Sequence, residues 1–313
     1  MTDGMAVRRR VVVAGLLGNA MTAVAMASPL LTTQDAPSAL RLPLPMSPAV
    51  PVLPLAVPAY PATAALPPWR RYAMTPAPTG GRPVISVVID DLGVMHGTER
   101  AVALPGPLTL AWFPFAPRLA EQVAGATARG HETLLHMPMQ SFSNSTVQTG
   151  PDPLRIDLAP EVNLARLRAA IAAVPDAVGL NNHMGSVATR DAALMTLVAA
   201  ETRRQGMLFL DSVVIPHSQG LPCALQAGVP AAGNDIFLDP IHSDCTVFEQ
   251  LERVEQIARH RGYAITIGHP HPKTLDGLAA WLPGVAAKGF VLWPVSATVV
   301  FRNGIDLSAL TAV

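Results

Sequence analysis

The sequence predicts an α/β fold in which parallel strands alternate with helices, and three observations support this prediction. Residues 84–89 form an apolar run without polar alternation, which is typical of a strand that is covered on both faces in a parallel sheet. Similar runs recur along the chain, and amphipathic helical patterns lie between most of them. Roughly seven or eight such units in about 230 residues suit a barrel of TIM-like size, although the alternation alone also fits an open sheet.

The strands are predicted from a series of apolar runs, which are residues 84–89, 108–113, 133–135, 177–180, 207–210, 236–238, 264–267 and 290–293. The helices are predicted from patterns between these runs, which are residues 160–176, 191–206, 246–262 and 274–289. In the first of these helices Leu164, Leu167 and Ile171 share one face. The third repeats its apolar residues every three or four positions and is predicted to stop at Gly262.

The first 27 residues have the pattern of an export signal. Arginines at residues 8–10 precede an apolar run over residues 11–27, and this run ends in the A-x-A pattern of Ala25, Met26 and Ala27. The run is at the short limit for a membrane-spanning helix. We therefore expect a cleaved signal peptide, with an uncleaved anchor that tethers the chain to the membrane as the alternative. Either one predicts an exported protein of the periplasm or cell envelope.

A proline-rich stretch follows over residues 28–82. Fourteen of the 31 prolines lie between Pro29 and Pro83, in spacings that favour extended backbone and cannot form a helix or a strand ladder. We predict a disordered linker in this stretch and one folded domain over residues 83–313.

Charge and motif content argue against several classes of function. Lys plus Arg and Asp plus Glu each number 22, so the balance of charge favours neither nucleic acid nor an anionic membrane surface. The sequence has neither a Gly-rich phosphate loop nor a G-x-S-x-G serine elbow, which argues against nucleotide and serine-hydrolase chemistry. Cys223 and Cys245 lack the spacing of a zinc motif, but a disulfide between them is chemically possible in an exported protein.

Polar residues follow the predicted strands, where ligands bind in parallel barrels and open sheets. Asp90 and Asp91 end the first strand, and two like charges at the rim of a core are unfavourable unless a cation, a helix N-terminus or solvent stabilises them. Other acids and imidazoles follow later strands, namely His136, His183, Asp211, Asp239, His269 and His271. Each of them alone also fits a structural role, such as a cap or a turn. Together, carboxylates and imidazoles from five or six strands predict a metal site with spare acid and base groups.

The order of the motifs IDDLG, LTLAWFPFAP, GHETLLHMPM, GLNNHMGS, FLDS, IFLD and IGHPHP resembles the divergent polysaccharide deacetylase family. That family is a distant branch of the carbohydrate esterases with a NodB-type fold. The resemblance runs from about Pro83 to the last strand. It implies a distorted (β/α) barrel of about seven strands, of the NodB or glycoside hydrolase/deacetylase type, and a divalent metal ion that is usually Zn²⁺.

The resemblance also implies a role for each residue at the rim. The residues that would bind the metal are Asp91 and His136. We infer that His183, which lies in the NHMGS motif of this branch, is the third ligand. Asp90 would be the general base and His269 the general acid. Asp211 would orient His269 or support the site. The implied substrate is an N-acetylated glycan.

Gln140 is the main departure from the NodB pattern, which usually has a second histidine four residues after the first. Glutamine is a poor zinc ligand, so either His183 fills this position or metal binding is weakened. Three hypotheses therefore stay open. The chain is a metal-dependent deacetylase of an envelope polysaccharide or peptidoglycan sugar, a non-catalytic glycan-binding or scaffold protein on the same barrel, or another metal hydrolase such as an amidase or esterase.

Overall fold

The computed structural model describes residues 66–143, 149–240 and 245–310. The expected signal segment and residues 28–65 of the expected linker lie outside the described residues. Within the described ranges, no helix is long and apolar enough to cross a bilayer.

The strands of the fold form one parallel sheet. Their bounds are β1 Val84–Leu92, β2 Thr109–Trp112, β3 Glu132–Met139, β4 Gly179–Met184, β5 Leu208–Asp211, β6 Ala231–Gly233, β7 Ile236–Phe237, β8 Tyr263–Gly268 and β9 Val291–Leu292. The strand order is β6-β5-β4-β3-β2-β1-β8-β7, and β9 pairs with the start of β1. Each of these pairings is parallel. The sheet curls into a distorted, incompletely closed (β/α) barrel, which confirms the predicted fold class.

Helices follow most of the strands. Their bounds are α1 Pro68–Arg71, α2 Thr98–Val102, α3 Leu119–Thr127, α4 Pro160–Ala173, α5 Ala192–Arg204, α6 Gly220–Gln226, α7 Val247–Arg261, α8 Pro272–Trp281 and α9 Val295–Arg302. Helix α7 begins with a capping box between Thr246 and Glu249. It ends at Gly262, whose φ of 84° is a left-handed conformation that suits glycine. The predicted stop of this helix is therefore confirmed.

Alternate side chains of the strands enter two separate apolar clusters. On β1, Ile85, Val87 and Ile89 pack with the surrounding helices, whereas Val84 and Val88 pack with α9. This division follows from the two-residue period of a strand, and burial on both faces explains why the run shows no polar alternation.

Helix α9 is the element that covers the second face, and every residue from Val295 to Val300 is buried. Its N-terminus is held by the amino ends of β2 and β3. The backbone N–H of Val295 donates to Thr109 Oγ1 at 2.9 Å, and that of Ser296 donates to Glu132 Oε2 at 3.0 Å. A carboxylate at this end satisfies helix donors that have no partner within the helix. Burial raises the pKa of Glu132, although the bonds from Ser296 oppose this effect.

The packed part of the chain extends to the N-terminal side of Pro83, the residue at which the domain was expected to begin. Trp69, on the short helix α1, is only 2% exposed and packs in the same cluster as α9. Trp293 Nε1 donates to the carbonyl oxygen of Ala77 at 2.7 Å. Residues 66–82, which were assigned to the linker, therefore include segments that pack on the barrel.

Candidate metal centre and active site

Asp90 and Asp91 both reach the carboxyl end of the barrel because β1 is irregular there. Successive side chains of a regular strand point to opposite faces. The register of β1 with β2 shifts between Ile89 and Leu92, and Asp91 has a φ of 60°. An extra residue of this kind bends a strand and re-aims its side chains. The irregularity explains how two adjacent carboxylates serve one site.

Asp91 lies against two imidazoles that come from other strands. Asp91 Oδ1 is 3.1 Å from His136 Nε2, on β3, and 2.9 Å from His183 Nδ1, on β4. The two ring nitrogens are 3.1 Å apart. These atoms form a triangle of one carboxylate oxygen and two imidazole nitrogens that could hold a metal ion.

This triangle fits a divalent cation such as Zn²⁺. A tetrahedral zinc ion with bonds of about 2.0–2.1 Å would separate its ligand atoms by about 3.3 Å, close to the observed spacing. Asp91 Oδ1 is buried and accepts no well-aligned hydrogen bond from any residue that the structure describes. A buried carboxylate oxygen without a donor is costly, and a cation removes that cost. Carboxylate and imidazole are ligands that zinc prefers.

Asn181 connects the metal triangle to Asp90. Its Nδ2 donates to Asp90 Oδ1 at 2.8 Å, and its Oδ1 lies 2.8 Å from His136 Nδ1. The amide oxygen can only accept, so Nδ1 of His136 carries the proton and its Nε2 presents a lone pair towards Asp91. Asn181 thereby selects the tautomer of His136 that can bind a metal.

The charges of the site shift the pKa values of its members in different directions. Burial raises the pKa of Asp90, although His136, His269 and Asn181 act in the opposite direction. Burial also favours a higher pKa for Asp91, but His136 and His183 outweigh it and the pKa falls well below the ordinary range. The two adjacent carboxyl groups therefore differ in basicity because of their surroundings.

His269 lies at the end of β8 and is held by Asp239. Its Nδ1 is 2.9 Å from Asp239 Oδ1, and its backbone N–H donates to Asp239 Oδ2 at 2.8 Å. Thr274 Oγ1 donates to the same Oδ2 at 2.6 Å. Burial lowers the pKa of His269, but Asp239 and the charges of Asp91 and Asp90 raise it overall to about 9. The raised pKa favours the imidazolium form of His269, and its charge acts on both carboxylates of the site.

Asp211 has a different position from the one expected. Its carboxylate accepts from Val213 N at 2.9 Å, from Ser218 Oγ at 2.7 Å and from Leu221 N at 2.9 Å. These bonds order the loop between β5 and α6. The expectation that Asp211 orients His269 is corrected, because Asp239 does so. The alternative role of Asp211, support of the site from the end of β5, stays a prediction.

Gln140 does not take the place of a metal-binding histidine. Its Oε1 accepts from the backbone N–H of Ile156 at 2.9 Å, and its carbonyl oxygen accepts from Val187 N and Ala188 N. The side chain thus supports the neighbouring loops. His183, and not the residue four positions after His136, completes the triangle.

Three residues near the site were not assigned roles from the sequence, namely Asn181, Asp239 and Phe113. The ring centroid of Phe113 lies 4.8 Å from that of His183 and 5.2 Å from that of His136. Asp239 follows its strand in the same pattern as Asp211, so local sequence does not distinguish the two. The pairing of β7 with β8 brings Asp239 beside His269.

Comparison with known proteins agrees with this architecture. A family model described as divergent polysaccharide deacetylase matches residues 87–299. The uncharacterized protein YibQ of Escherichia coli (strain K12) is 34% identical over 192 residues, which are 61% of this chain and 60% of that protein. An uncharacterized protein of Haemophilus influenzae (strain ATCC 51907 / DSM 11121 / KW20 / Rd) is 37% identical over 199 residues, which are 63% of this chain and 70% of that protein.

A solved structure shows a similar fold. The crystal structure of an uncharacterized protein from Agrobacterium tumefaciens C58 matches with a TM-score of 0.71 and 26% sequence identity, over 74% of this chain and 95% of that chain. The family match runs from within β1 into α9 and so includes the whole triangle with Asp90, His269 and Asp239. This chain therefore belongs to the divergent polysaccharide deacetylase family.

Proposed function

We propose that this protein is an exported, metal-dependent hydrolase that removes N-acetyl groups from an envelope polysaccharide or a peptidoglycan sugar. The observation that carries the proposal is the convergence of Asp91 Oδ1, His136 Nε2 and His183 Nδ1, which lie 2.9–3.1 Å from one another. Membership of the family supports the reaction class.

Asp91, His136 and His183 would hold the divalent ion, for which zinc suits the ligand set. When bound, zinc polarises an amide carbonyl and lowers the pKa of a nearby water. Asn181 would keep His136 in the tautomer that binds a metal. It would also hold Asp90 beside the triangle, where the Asp90 carboxylate remains free to accept a proton.

Asp90 would act as the general base. Hydrolysis of an N-acetyl group requires that water add to the carbonyl carbon while a base removes its proton. The carboxylate of Asp90 is buried and has His136 Nδ1 at 3.7 Å from Oδ2. It therefore lies beside the residues that would hold the metal.

His269 would act as the general acid. The carbon–nitrogen bond breaks as the nitrogen receives a proton, and the products are acetate and the free amine of the sugar. Nδ1 of His269 is bonded to Asp239, so Nε2 is the atom that would deliver this proton. Asp239 is a positioning residue that stabilises the imidazolium form.

Export and the envelope substrate rest on other observations. The basic residues, apolar run and A-x-A pattern in the first 27 residues support export to the periplasm or cell envelope. The N-acetylated glycan follows from the family description. The alternative is a non-catalytic glycan-binding or scaffold protein, for which Gln140 is the supporting feature.

The experiment that tests the proposal separates metal binding from chemistry. The full chain and its variants are analysed for zinc content and for acetate release from N-acetylated glycans. Asp91→Ala is expected to lose zinc and activity together. Asp90→Asn and His269→Gln are expected to keep the zinc at Asp91, His136 and His183 and to lose activity at least about a hundredfold. His260→Ala removes an exposed imidazole from the last turn of α7 and serves as the control for both measurements.

Two outcomes would contradict parts of this proposal, the first the hydrolase activity and the second the assignment of the base. Protein that binds no zinc but retains a glycan would support the binding module. Full acetate release by Asp90→Asn would show that the base had been assigned to the wrong residue.

A further inference from the structure

We propose that Asp239, His269 and His271 bind a second divalent cation, and that this cation inhibits the enzyme when zinc is in excess. The proximity of the three side chains supports the binding. The inhibitory effect rests on the proposed function, because it requires that His269 be the general acid.

The three side chains offer a compact set of ligand atoms. One atom from each residue lies within 4.8 Å of the others. Asp239 Oδ1 and His269 Nδ1 are 2.9 Å apart, which equals the distance between Asp91 Oδ1 and His183 Nδ1 in the first site. The ring centroids of His269 and His271 are 5.8 Å apart, and their planes are inclined by 35°. The second group thus repeats the one-carboxylate, two-imidazole chemistry of the first.

The backbone holds this second group in place. The segment between the histidines is a tight turn in which His271 N–H donates to the carbonyl oxygen of His269 at 2.7 Å. Pro270 and Pro272 flank His271 and restrict the backbone. His269 and Asp239 are partly buried, whereas His271 is exposed, so a cation can enter from solvent without rearrangement of the barrel.

We expect the second site to be weaker than the first for two reasons. A cation there must replace the proton between Asp239 Oδ1 and His269 Nδ1, and this proton is released to solvent. His271 also immediately precedes α8, and the positive end of a helix dipole disfavours a cation. The first site should therefore fill before the second, with a dissociation constant that is about tenfold lower or better.

A second cation would change the chemistry of His269. An imidazole that ligates a cation through Nδ1 loses its hydrogen bond to Asp239 and its imidazolium form. It can then no longer give a proton to the leaving nitrogen. Excess zinc should consequently lower the turnover number without removing zinc from the first site.

The test compares two histidines that differ in position. Metal-free full-length chain is titrated with zinc in equilibrium dialysis, and the same is done with His271→Ala and with His260→Ala. The side chain of His271 makes no cap bond to α8, so its removal should leave the fold intact. His260 lies on α7, which leads into the opposite end of β8 from His269. We expect the parent and His260→Ala to bind one more equivalent of zinc than His271→Ala does.

Activity provides a second readout. Zinc above the first equivalent is expected to inhibit the parent and His260→Ala by tenfold or more, and to leave His271→Ala active. The second site is disproved if His271→Ala binds as many equivalents as the parent, or if the parent binds a single equivalent. Failure of the proposed function would give a different result. Absence of activity towards every glycan, or absence of zinc from the first site, would leave the difference in zinc binding between His271→Ala and His260→Ala unchanged.

Discussion

The Nδ1 atom of His136 lies 2.8 Å from the side-chain oxygen of Asn181, and both side chains are fully buried. The same amide donates to Asp90 at 2.8 Å. One neutral residue therefore sets the orientation of the imidazole that is proposed to bind the metal and of the carboxylate that is proposed as the base. Partners of this kind contribute to metal affinity although they do not touch the metal.

Replacement of Asn181 by leucine should weaken zinc binding by about 10–100-fold, because His136 then loses the acceptor that fixes its tautomer. Zinc affinity is measured by competition with a chelator at constant pH. Asn163→Leu is the matched control, since Asn163 is also buried and hydrogen-bonded but lies in the first turn of α4, where it bonds to Arg155 of the preceding loop. A similar loss of zinc affinity in both variants would contradict the specific role of Asn181.

Gly220→Ala should destabilise the fold by roughly 1–3 kcal/mol, because a Cβ at this position would lie 2.6 Å from Asp211 Oδ2 and 3.0 Å from the ring of Phe209. The clash would displace the carboxylate that orders the loop after β5. Gly125→Ala, within α3, has open space around the added methyl group and should instead stabilise by roughly 0.5–1 kcal/mol. Urea unfolding measures both changes, and a neutral Gly220→Ala would show that the position of Asp211 is not constrained.

The ion pairs of Glu201 should make part of the free energy of unfolding sensitive to acid. Its carboxylate bonds to Arg204 at 2.8 Å and to Arg168 at 3.1 Å, and these contacts lower its pKa from 4.5 to about 2 despite burial. A lowered pKa stabilises the folded state above pH 4.5, and this contribution is lost as the pH falls towards 2. Both arginines are about half exposed, so solvent reduces the effect to roughly 1–2 kcal/mol.

Glu201→Gln should therefore be less stable than the parent at pH 7, and the difference should shrink below pH 4.5. Unfolding free energies at pH 7, 4.5 and 3 measure this trend. Glu121→Gln is the control, because its ion pair with Arg118 is fully at the surface. A difference between parent and Glu201→Gln that stays constant with pH would show that the ion pairs do not account for it.

Val299→Ala should cost roughly 1.5–3 kcal/mol, because Val299 is fully buried on α9 inside the curled sheet and its removal leaves a cavity. Val162→Ala, on α4, is the matched control, since Val162 is 42% exposed and its replacement should be nearly neutral. Thermal and urea unfolding of both variants give the comparison. Equal costs would mean that α9 is not part of the cooperative core.

The sequence was informative about elements with strong periodicity. The apolar run at residues 84–89 forms most of β1. Helix α7 begins at the capping box of Thr246 and ends at Gly262, which is the stop that the sequence predicts. Several elements were not predicted, among them β6 and α9. β6 has three residues and little side-chain area. Half of the eight residues of α9 are β-branched, and the helix is buried without interruption from Val295 to Val300, so neither element shows a period.

Within the site, the sequence alone placed Asp90, Asp91, His136, His183 and His269 at the carboxyl ends of strands, because the strand period and the parallel order determine that end. Only the tertiary structure decided which groups meet. The register irregularity near the end of β1 directs both carboxylates to one site. The pairing of β7 with β8 gives His269 the partner Asp239 instead of Asp211. Such contacts join residues far apart in the chain, and their distances depend on the curl and register of the sheet, which no local pattern encodes.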